Sequence, residues 1–191
     1  MTTHNGTKLF YQKNSEQYIQ TTKNVNMSIQ YNLFLRYMKA KGKILDIGFG
    51  SGRDMLFFQN KGFEVVGIDI TENFVDNARN QGLCAYLQDV HTMDYNAVFD
   101  GVWACASLLH SPDLPLAFSR ISKALKKNGV FYLSMKYGDG EKIIDEKFYR
   151  FLNELQLYLL CDQANLKVSE ILITNDLLDR KERWLNAIIL K

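Results

Sequence analysis

Three glycines at alternate positions, Gly48, Gly50 and Gly52, follow a hydrophobic run in the segment KILDIGFGSGRD. Glycine permits a tight turn and lets a ligand approach the backbone closely. Dinucleotide-binding turns prefer the spacing G-x-G-x-x-G, but Arg53 stands where that pattern has its third glycine. The spacing here is G-x-G-x-G, preceded by Asp46. This pattern disfavours a dinucleotide without excluding it.

Two further carboxylates end hydrophobic runs that have the character of strands. Asp69 ends the run VVGID, where a carboxylate can accept hydrogen bonds from both hydroxyls of a ribose. Asp89 ends the next run and is placed to meet the exocyclic amine of an adenine. A nucleoside with a short amino-acid tail would use all three features, with its tail on the glycine turn. Alternatively, Asp69 is a helix cap, and Asp46 braces the turn by accepting backbone N–H bonds.

Alternating strands and helices are predicted to position these residues. The predicted strands are 43–47, 64–69, 84–87, 99–105, 130–136, 168–174 and 184–190. The predicted helices are 15–40 (as one or two), 52–60, 71 to about 82, 113 to about 126, and 148–164. Thr71 and Asp113 are predicted N-caps, and Gly62 is predicted to end a helix in the left-handed conformation. This alternation predicts a parallel sheet with helices on both faces, and the last two strands predict an antiparallel pair.

The composition is that of an ordinary globular chain. Its 191 residues, 47% hydrophobic and 23% charged, suit one domain with a packed core. A formal net charge of +2 does not indicate a nucleic-acid or membrane surface. The cysteines Cys84, Cys105 and Cys161 match neither a disulfide framework nor a Cys-x-x-Cys zinc pattern. The sequence shows no signal-like segment and no apolar run long enough to cross a bilayer, so we expect a cytoplasmic location.

The turn LDIGFGSG, the strand ends at Asp69 and Asp89, and the segment FDGVWACASLLH together resemble class I S-adenosylmethionine-dependent methyltransferases. The resemblance covers about residues 11–191. The segments WACASLLH, SMKYGDGE and RWLNAIIL are similar to a small bacterial group related to tellurite-resistance-type enzymes. Phe49 departs from the small residue or cysteine of many members, which would alter packing around the methionine tail.

The resemblance implies an α/β, Rossmann-like, doubly wound sheet of seven strands, mostly parallel with an antiparallel C-terminal strand pair. It implies a single methyltransferase domain over residues 1–191, with a helical lid in residues 1–40 and a core in residues 41–191. The cofactor would be S-adenosylmethionine, and no metal is expected. The implied cofactor contacts are Tyr11, Tyr18, Asp46, Gly48, Gly50, Gly52, Asp69, Ile70, Asp89, Val90, Cys105 and Ala106. Tyr11 and Tyr18 lie seven residues apart and would share a helical face, or else simply pack in the core.

His110 is the candidate catalytic residue, because it follows the fourth strand at the expected methyl-donor end of the cofactor. It would act as a general base or orient the acceptor, or else be a surface histidine. His4 and His91 have weaker claims. Cys105 lacks an evident partner base, so we expect a small core residue rather than a nucleophile.

Candidate substrate contacts follow the later strands. Lys136 and Tyr137 end the fifth strand and would line the substrate pocket, or else belong to a solvated loop. Arg183, with Arg180 and Trp184, would suit a polar or anionic acceptor. An ion pair of these arginines with Asp176 or Asp179 is the alternative.

The leading functional hypothesis is methyl transfer to a small-molecule acceptor by in-line displacement. An RNA or protein methyltransferase, an NAD-dependent oxidoreductase and a cofactor-binding module without catalysis are the alternatives. The D/N-P-P-aromatic motif of DNA-adenine methyltransferases does not occur in the sequence. We expect neither nucleic acid nor a membrane as partner, while the acceptor and the oligomeric state stay open.

Overall fold

A seven-stranded sheet with helices on both faces organises the chain, of which the computed structural model describes residues 3–178 and 180–191. The strands of this sheet are β1 Lys43–Ile47, β2 Glu64–Asp69, β3 Ala85–Leu87, β4 Phe99–Cys105, β5 Leu125–Lys136, β8 Lys167–Asn175 and β9 Arg183–Leu190. A separate hairpin pairs β6 Glu141–Ile144 with β7 Lys147–Arg150. The helices are α1 Thr3–Thr22, α2 Ser28–Leu35, α3 Arg53–Asn60, α4 Glu72–Asn80, α5 Leu114–Ala124 and α6 Glu154–Gln163.

The strand order is β3-β2-β1-β4-β5-β9-β8. The first five strands pair in parallel, and β9 runs antiparallel to both β5 and β8. The predicted mostly parallel sheet with an antiparallel C-terminal pair is therefore confirmed. Strand order reverses between β1 and β4, and in such sheets ligands bind beyond the carboxyl ends of the strands at this point.

Apolar side chains cover both faces of the sheet, so the central strands read as continuous hydrophobic runs. Within β4, Val102 and Ala104 point to the face covered by α5 and α6, and Trp103 points to the face covered by α2, α3 and α4. Trp103 stacks on Tyr132 of β5 with ring centroids 3.9 Å apart. This alternation follows from the two-residue period of a strand.

The predicted helix over 148–164 is wrong in its first part. The chain first forms β7, the second strand of the hairpin, and α6 begins only at Glu154. Asn153 and Gln156 form a reciprocal capping box that starts the helix at this point. The hairpin turn uses Asp145 and Glu146, both with positive φ, and has glutamate where glycine usually follows the aspartate of such a turn.

Other boundaries differ by smaller amounts. Helix α1 begins well before the predicted residue 15, and its backbone departs from helical geometry at Asn14. Helix α5 ends at Ala124 because the chain already pairs as a strand from Leu125. Asp113 caps α5 as predicted, accepting a hydrogen bond from the Leu116 amide at 2.9 Å. Gly62 follows α3 with φ +86°, as predicted.

No helix within residues 3–178 and 180–191 has the length and apolar composition needed to cross a bilayer.

Candidate functional site

The glycine turn joins β1 to α3 with a positive φ at Gly48, Gly50 and Gly52. A Cβ added to Gly48 would lie 2.5 Å from the Cβ of Ser107, and one added to Gly50 would lie 2.8 Å from Cε1 of Tyr18. Side chains are therefore excluded both by backbone conformation and by lack of space. The ring of Tyr18 lies over Gly50, so a ligand that contacts this part of the turn must displace that ring.

Asp69 lies at the carboxyl end of β2 and braces the glycine turn. Its carboxylate accepts hydrogen bonds from the amides of Gly50 at 3.1 Å and Thr71 at 2.8 Å. Burial raises the pKa of this carboxyl to about 6, although the backbone N–H groups favour its charged form. Thr71 is the N-cap of α4 by position, but its side chain makes no capping bond, contrary to the prediction.

For Asp46, the alternative in which its carboxylate braces the turn finds no hydrogen bond at Oδ2 to support it. The residue is buried at the end of β1, and its Oδ2 has no hydrogen-bond partner within the part of the chain that the structure describes. Burial, and secondly the nearby Asp54 carboxylate, raise the pKa of Asp46 well above its ordinary value. The hydroxyl of Ser107, which follows β4, is likewise buried without a partner there. Two acceptor atoms beside the bare turn fit a ligand that carries an amine donor, such as the amino-acid tail of S-adenosylmethionine.

Asp89 follows β3 at the same edge of the sheet. The amide of Gln88 donates to the backbone oxygen of Asp69 at 3.0 Å, which brings the two segments together. Oδ1 of Asp89 accepts hydrogen bonds from the His91 amide at 2.9 Å and from Nδ1 of His91 at 2.6 Å. The Asp89 carboxylate, as the largest cause, raises the pKa of His91. The roles of Asp69 and Asp89, and of the adjacent Ile70 and Val90, in cofactor binding stay predictions.

Helix α1 covers the glycine turn with aromatic side chains. The rings of Tyr11 and Tyr18 meet edge to face with centroids 5.3 Å apart, and both contact Phe74 of α4. Burial raises the pKa of both hydroxyl groups. The two tyrosines therefore share a helical face as predicted.

His110 ends a short 3₁₀ turn after β4, with both ring nitrogens in hydrogen bonds. Nδ1 is 2.6 Å from the backbone oxygen of Phe148, and Nε2 is 2.9 Å from the hydroxyl of Tyr11. A carbonyl oxygen only accepts, so Nδ1 carries the proton. In the neutral ring, Nε2 is then the acceptor for the Tyr11 hydroxyl and the nitrogen that can take up a proton.

A cavity of about 240 Å³ lies between α1, the ends of β4 and β5, the hairpin and the β8–β9 loop. Six residues predicted for the site line it, namely Tyr11, Tyr18, Cys105, Ala106, His110 and Lys136. Tyr137 and Arg183 are not among its lining residues, and their contact with a substrate stays a prediction. Instead, the guanidinium of Arg183 lies over the Tyr137 ring at 4.8 Å.

Three other lining residues were not predicted from the sequence as main contacts of the site. Lys147 and Tyr149 line the cavity from the hairpin, which the sequence pattern did not predict. Arg180 lines it while also forming the ion pair with Asp176 that was the alternative interpretation. Asp179 and the side chain of His4 lie outside what the structure describes.

A buried polar cluster next to the cavity was also missed. Asp54, the first-turn acid of α3, forms a two-point ion pair with Arg53 and accepts from the Tyr31 hydroxyl and the Trp103 indole. The only sequence signal was the RD pair at the end of KILDIGFGSGRD. Burial, the largest cause, raises the pKa of Cys105 nearby, so this thiol is protonated. Within the described ranges, no group of three or more His, Cys, Asp or Glu residues is arranged to hold a metal ion.

Comparison with known proteins agrees with this geometry. Residues 45–133 match the family described as "Methyltransferase domain". The chain is 33% identical over 94 residues to the UPF0146 protein PYRAB01940 of Pyrococcus abyssi, covering 49% of this chain and 71% of that protein. It is 28% identical over 114 residues to the putative methyltransferase YqeM of Bacillus subtilis, covering 52% of this chain and 46% of that protein.

A solved structure shares the fold along nearly the whole chain. This is the crystal structure of Burkholderia thailandensis 1,6-didemethyltoxoflavin-N1-methyltransferase with bound 1,6-didemethyltoxoflavin and S-adenosylhomocysteine. It superposes with a TM-score of 0.79 at 21% identity, covering 96% of this chain and 84% of the other.

The sheet order, the bare turn at the switch point and the family match define a methyltransferase with a Rossmann-like fold. The methyltransferase-domain match over residues 45–133, together with relatives such as YqeM, assigns the chain to the class I S-adenosylmethionine-dependent methyltransferases. S-adenosylmethionine is the cofactor of this class, so the cofactor prediction is confirmed at this level.

Proposed function

We propose that this protein transfers the methyl group of S-adenosylmethionine to a small-molecule acceptor bound in the 240 Å³ cavity. The observation that carries the proposal is the lining of that cavity. It includes residues predicted to contact the cofactor, such as Cys105 and Ala106, together with His110 and Lys136. Its volume is below the range of roughly 300–1,000 Å³ that is typical of pockets for drug-sized ligands. A compact acceptor fits such a space.

The cofactor would lie along the carboxyl edge of the first strands. Asp69 would accept hydrogen bonds from the ribose hydroxyls, and Asp89 would accept from the adenine amine. The orphaned Oδ2 of Asp46 and hydroxyl of Ser107 would receive the amine of the methionine tail beside Gly48. When bound, the cofactor supplies a methyl group already activated by a positively charged sulfur.

His110 would remove the acceptor proton. Its Nε2 is the accepting nitrogen, because Nδ1–H is held by the Phe148 carbonyl. The acceptor hydroxyl or N–H would take the place of the Tyr11 hydroxyl and give its proton to Nε2. The electron pair freed on the acceptor would be the nucleophile for the activated methyl group that the bound cofactor supplies, with the cofactor's sulfur as the leaving group. The imidazolium then returns its proton to water.

Two finer predictions belong with this proposal. The similarity to tellurite-resistance-type enzymes rests on WACASLLH, SMKYGDGE and RWLNAIIL and would place the chain within a bacterial group of the family. Residues 1–191 would act as one domain in which α1 is the lid. The Burkholderia enzyme, solved with bound 1,6-didemethyltoxoflavin, supports only the idea that this fold accommodates small-molecule acceptors.

Transfer of a labelled methyl group tests the proposal. The protein is incubated with methyl-labelled S-adenosylmethionine and a cell extract separated into small-molecule, RNA and protein fractions. We expect label in the small-molecule fraction. Label confined to RNA or protein would favour the alternative methyltransferase functions, and failure to bind S-adenosylhomocysteine would refute the proposal.

The role of His110 is tested with the acceptor fraction found in this way. We expect His110→Asn to lower kcat about 10²- to 10⁴-fold, the usual contribution of a general base, while affinity for S-adenosylhomocysteine is retained. Tyr158→Phe, in an exposed aromatic residue of α6, is the matched control and should leave kcat unchanged. An unchanged rate in His110→Asn would show that the acceptor needs no base from this residue.

A further inference from the structure

Positive charge exceeds negative charge around the cavity, within the part of the chain that the structure describes. Lys136, Lys147 and Arg180 line one side of it. Nζ of Lys136 is 2.6 Å from a carboxylate oxygen of Glu182, and Arg180 contacts both oxygens of the buried Asp176 carboxylate. These three cations therefore have two carboxylate partners between them. Glu182 is paired with Lys136, and Asp176 is paired with Arg180.

Lys147 is the cation left without an ion pair in this count. No carboxylate oxygen lies within 4.0 Å of its Nζ among residues 3–178 and 180–191. The exposed Asp145 on the same hairpin acts on Lys147 only over a longer distance, where its charge raises the pKa of the lysine. Its Nζ lies instead over the Phe10 ring at 4.0 Å, with the rings of Tyr149 and Tyr11 at 5.7 and 6.0 Å. Half-burial lowers the pKa of Lys147, which is the expected effect of removing a cation from water. An anion in the cavity would offset this cost.

Arg53 is the remaining cation that lines the cavity, and it does not add to the excess of positive charge. Its guanidinium is held by two bonds to the Asp54 carboxylate and donates a third to the backbone oxygen of Thr22. The uncompensated charge is therefore on the side of the hairpin, away from this pair.

Flat aromatic faces make up much of the remaining wall. Phe10, Tyr11, Tyr149 and Trp184 all line the cavity. The Tyr149 ring is 4.8 Å from the His110 ring and carries the Lys136 ammonium at 4.2 Å. Aromatic rings favour offset stacking or edge contact with another planar group. Tyr149 therefore stands between the proposed base and the cations.

We propose that the methyl acceptor is a small planar aromatic anion, with its carboxylate at Lys147 and Arg180 and its nucleophilic O–H or N–H at His110. This inference rests on the proposed function and specifies its substrate class. A cationic acceptor is disfavoured because it would bring a further positive charge against Lys147. A neutral acceptor would leave the half-buried Lys147 with only the exposed Asp145 carboxylate as counter-charge.

Binding of matched acids, amides and amines tests this charge preference. The protein is saturated with S-adenosylhomocysteine and titrated calorimetrically with 4-hydroxybenzoate, 4-hydroxybenzamide and 4-hydroxybenzylamine, and with nicotinate and nicotinamide as a second pair. We expect at least one acid to bind about tenfold more tightly than its amide, the scale of one hydrogen bond to a charged group. Equal or weaker binding of both acids, including no binding of any probe, would overturn the inference.

Variants connect the preference to Lys147. Lys147→Gln should reduce the ratio of acid to amide affinity about tenfold, and Lys147→Arg should retain it, since the charge remains. Lys142→Gln, an exposed lysine on the same hairpin, is the control and should leave the ratio unchanged. An acid preference that survives Lys147→Gln in a folded protein would overturn the assignment. Titration with S-adenosylhomocysteine alone comes first, because loss of that binding contradicts the proposed function, whereas intact binding without acid preference contradicts only this inference.

Discussion

Asp69→Asn should separate the stability of the protein from its affinity for the cofactor. The Asp69 carboxyl has a pKa of about 6 when folded, against an ordinary value of 3.8, because it is buried. Between these two values the folded state binds a proton that the unfolded chain has lost. Stability from this group is therefore present at low pH and is lost as pH rises through about 6. Asparagine carries no such dependence.

The size of the effect follows from the same values. At pH 5 the folded-state carboxyl is roughly 90% protonated, so its contribution to the free energy of unfolding is about 1.4 kcal/mol larger than at pH 7. For a chain of this length, that corresponds to a change of about 3–5 °C in Tm. The difference in stability between wild type and Asp69→Asn should move by this amount between pH 7 and pH 5. Other titrating groups are common to both proteins and cancel.

Cofactor affinity should change in the opposite direction. Ribose hydroxyls donate to a carboxylate, so the proposed role of Asp69 requires its ionised form for binding of S-adenosylhomocysteine. Its affinity for the wild type should fall about tenfold from pH 7 to pH 5, one unit below the pKa. In Asp69→Asn it should be weaker than in the wild type at pH 7 and show no comparable loss at pH 5.

Thermal unfolding and calorimetric titration at pH 5, 6 and 7 measure both quantities. Asp76→Asn, in an exposed acid of α4, is the control and should follow the wild type in both. A stability difference between wild type and Asp69→Asn that does not change with pH would refute the burial argument. A wild-type affinity that does not change with pH would refute the proposed role of Asp69 in binding ribose.

Two further substitutions test the turn and the buried cluster. Gly50→Ala should lower the free energy of unfolding by about 1–2 kcal/mol through left-handed strain. It should also abolish binding of S-adenosylhomocysteine, because its Cβ would occupy the space over the turn that the Tyr18 ring now fills and that a ligand would need. Gly62→Ala carries similar strain with nothing within 4 Å, so it should lose stability but keep binding; equal loss of binding in both would contradict the argument. Asp54→Asn should lower the free energy of unfolding by about 3–5 kcal/mol in urea denaturation, since it breaks a buried ion pair with Arg53. A loss below about 1 kcal/mol would show that this pair contributes little.

The sheet was predictable because its central strands are buried on both faces and therefore form hydrophobic runs in the sequence. Several of these runs end in an aspartate or a glycine turn. Runs such as VVGID, together with the glycines that follow helices, indicate a repeated strand–helix unit whatever the tertiary contacts. The hairpin was not predictable in this way. Phe148, Tyr149 and the residues after them fit a helical pattern, and Glu146 stands at positive φ in the turn position where glycine is usual.

Strand geometry separates the residues predicted at the ends of β5 and β9 into those that line the cavity and those that do not. Lys136 and Tyr137 are consecutive at the end of β5, and Trp184 and Arg183 are consecutive in β9. Successive side chains of an extended chain point to opposite faces, so only one member of each pair can reach a given cavity. Lys136 pairs with Trp184 across the sheet, and these two line the cavity. Strand periodicity alone therefore argued against assigning both neighbours to the pocket.

The residues of the site that the sequence did not predict depend on contacts between segments that are far apart in the chain. Lys147 and Tyr149 reach the cavity only because the hairpin packs against α1, where the Thr7 hydroxyl accepts from the Phe148 amide at 3.0 Å. Asp54 gained its importance from Tyr31 and Trp103, which are 23 residues before it and 49 after it. Local patterns carry no information about contacts of that separation.

Helix α1 supplies one wall to two compartments at once. Tyr18 lies over the glycine turn, while Tyr11 and Phe10 face the acceptor cavity, and hydrogen bonds from Asn73 tie the same helix to α4. If binding of the cofactor or of the proposed acceptor moves α1, the binding site of the other ligand therefore changes as well. Thermodynamic reciprocity then requires that the factor by which cofactor changes acceptor affinity equals the factor by which acceptor changes cofactor affinity. The two ligands should bind cooperatively, and shortening the chain before Ser15 should remove that coupling.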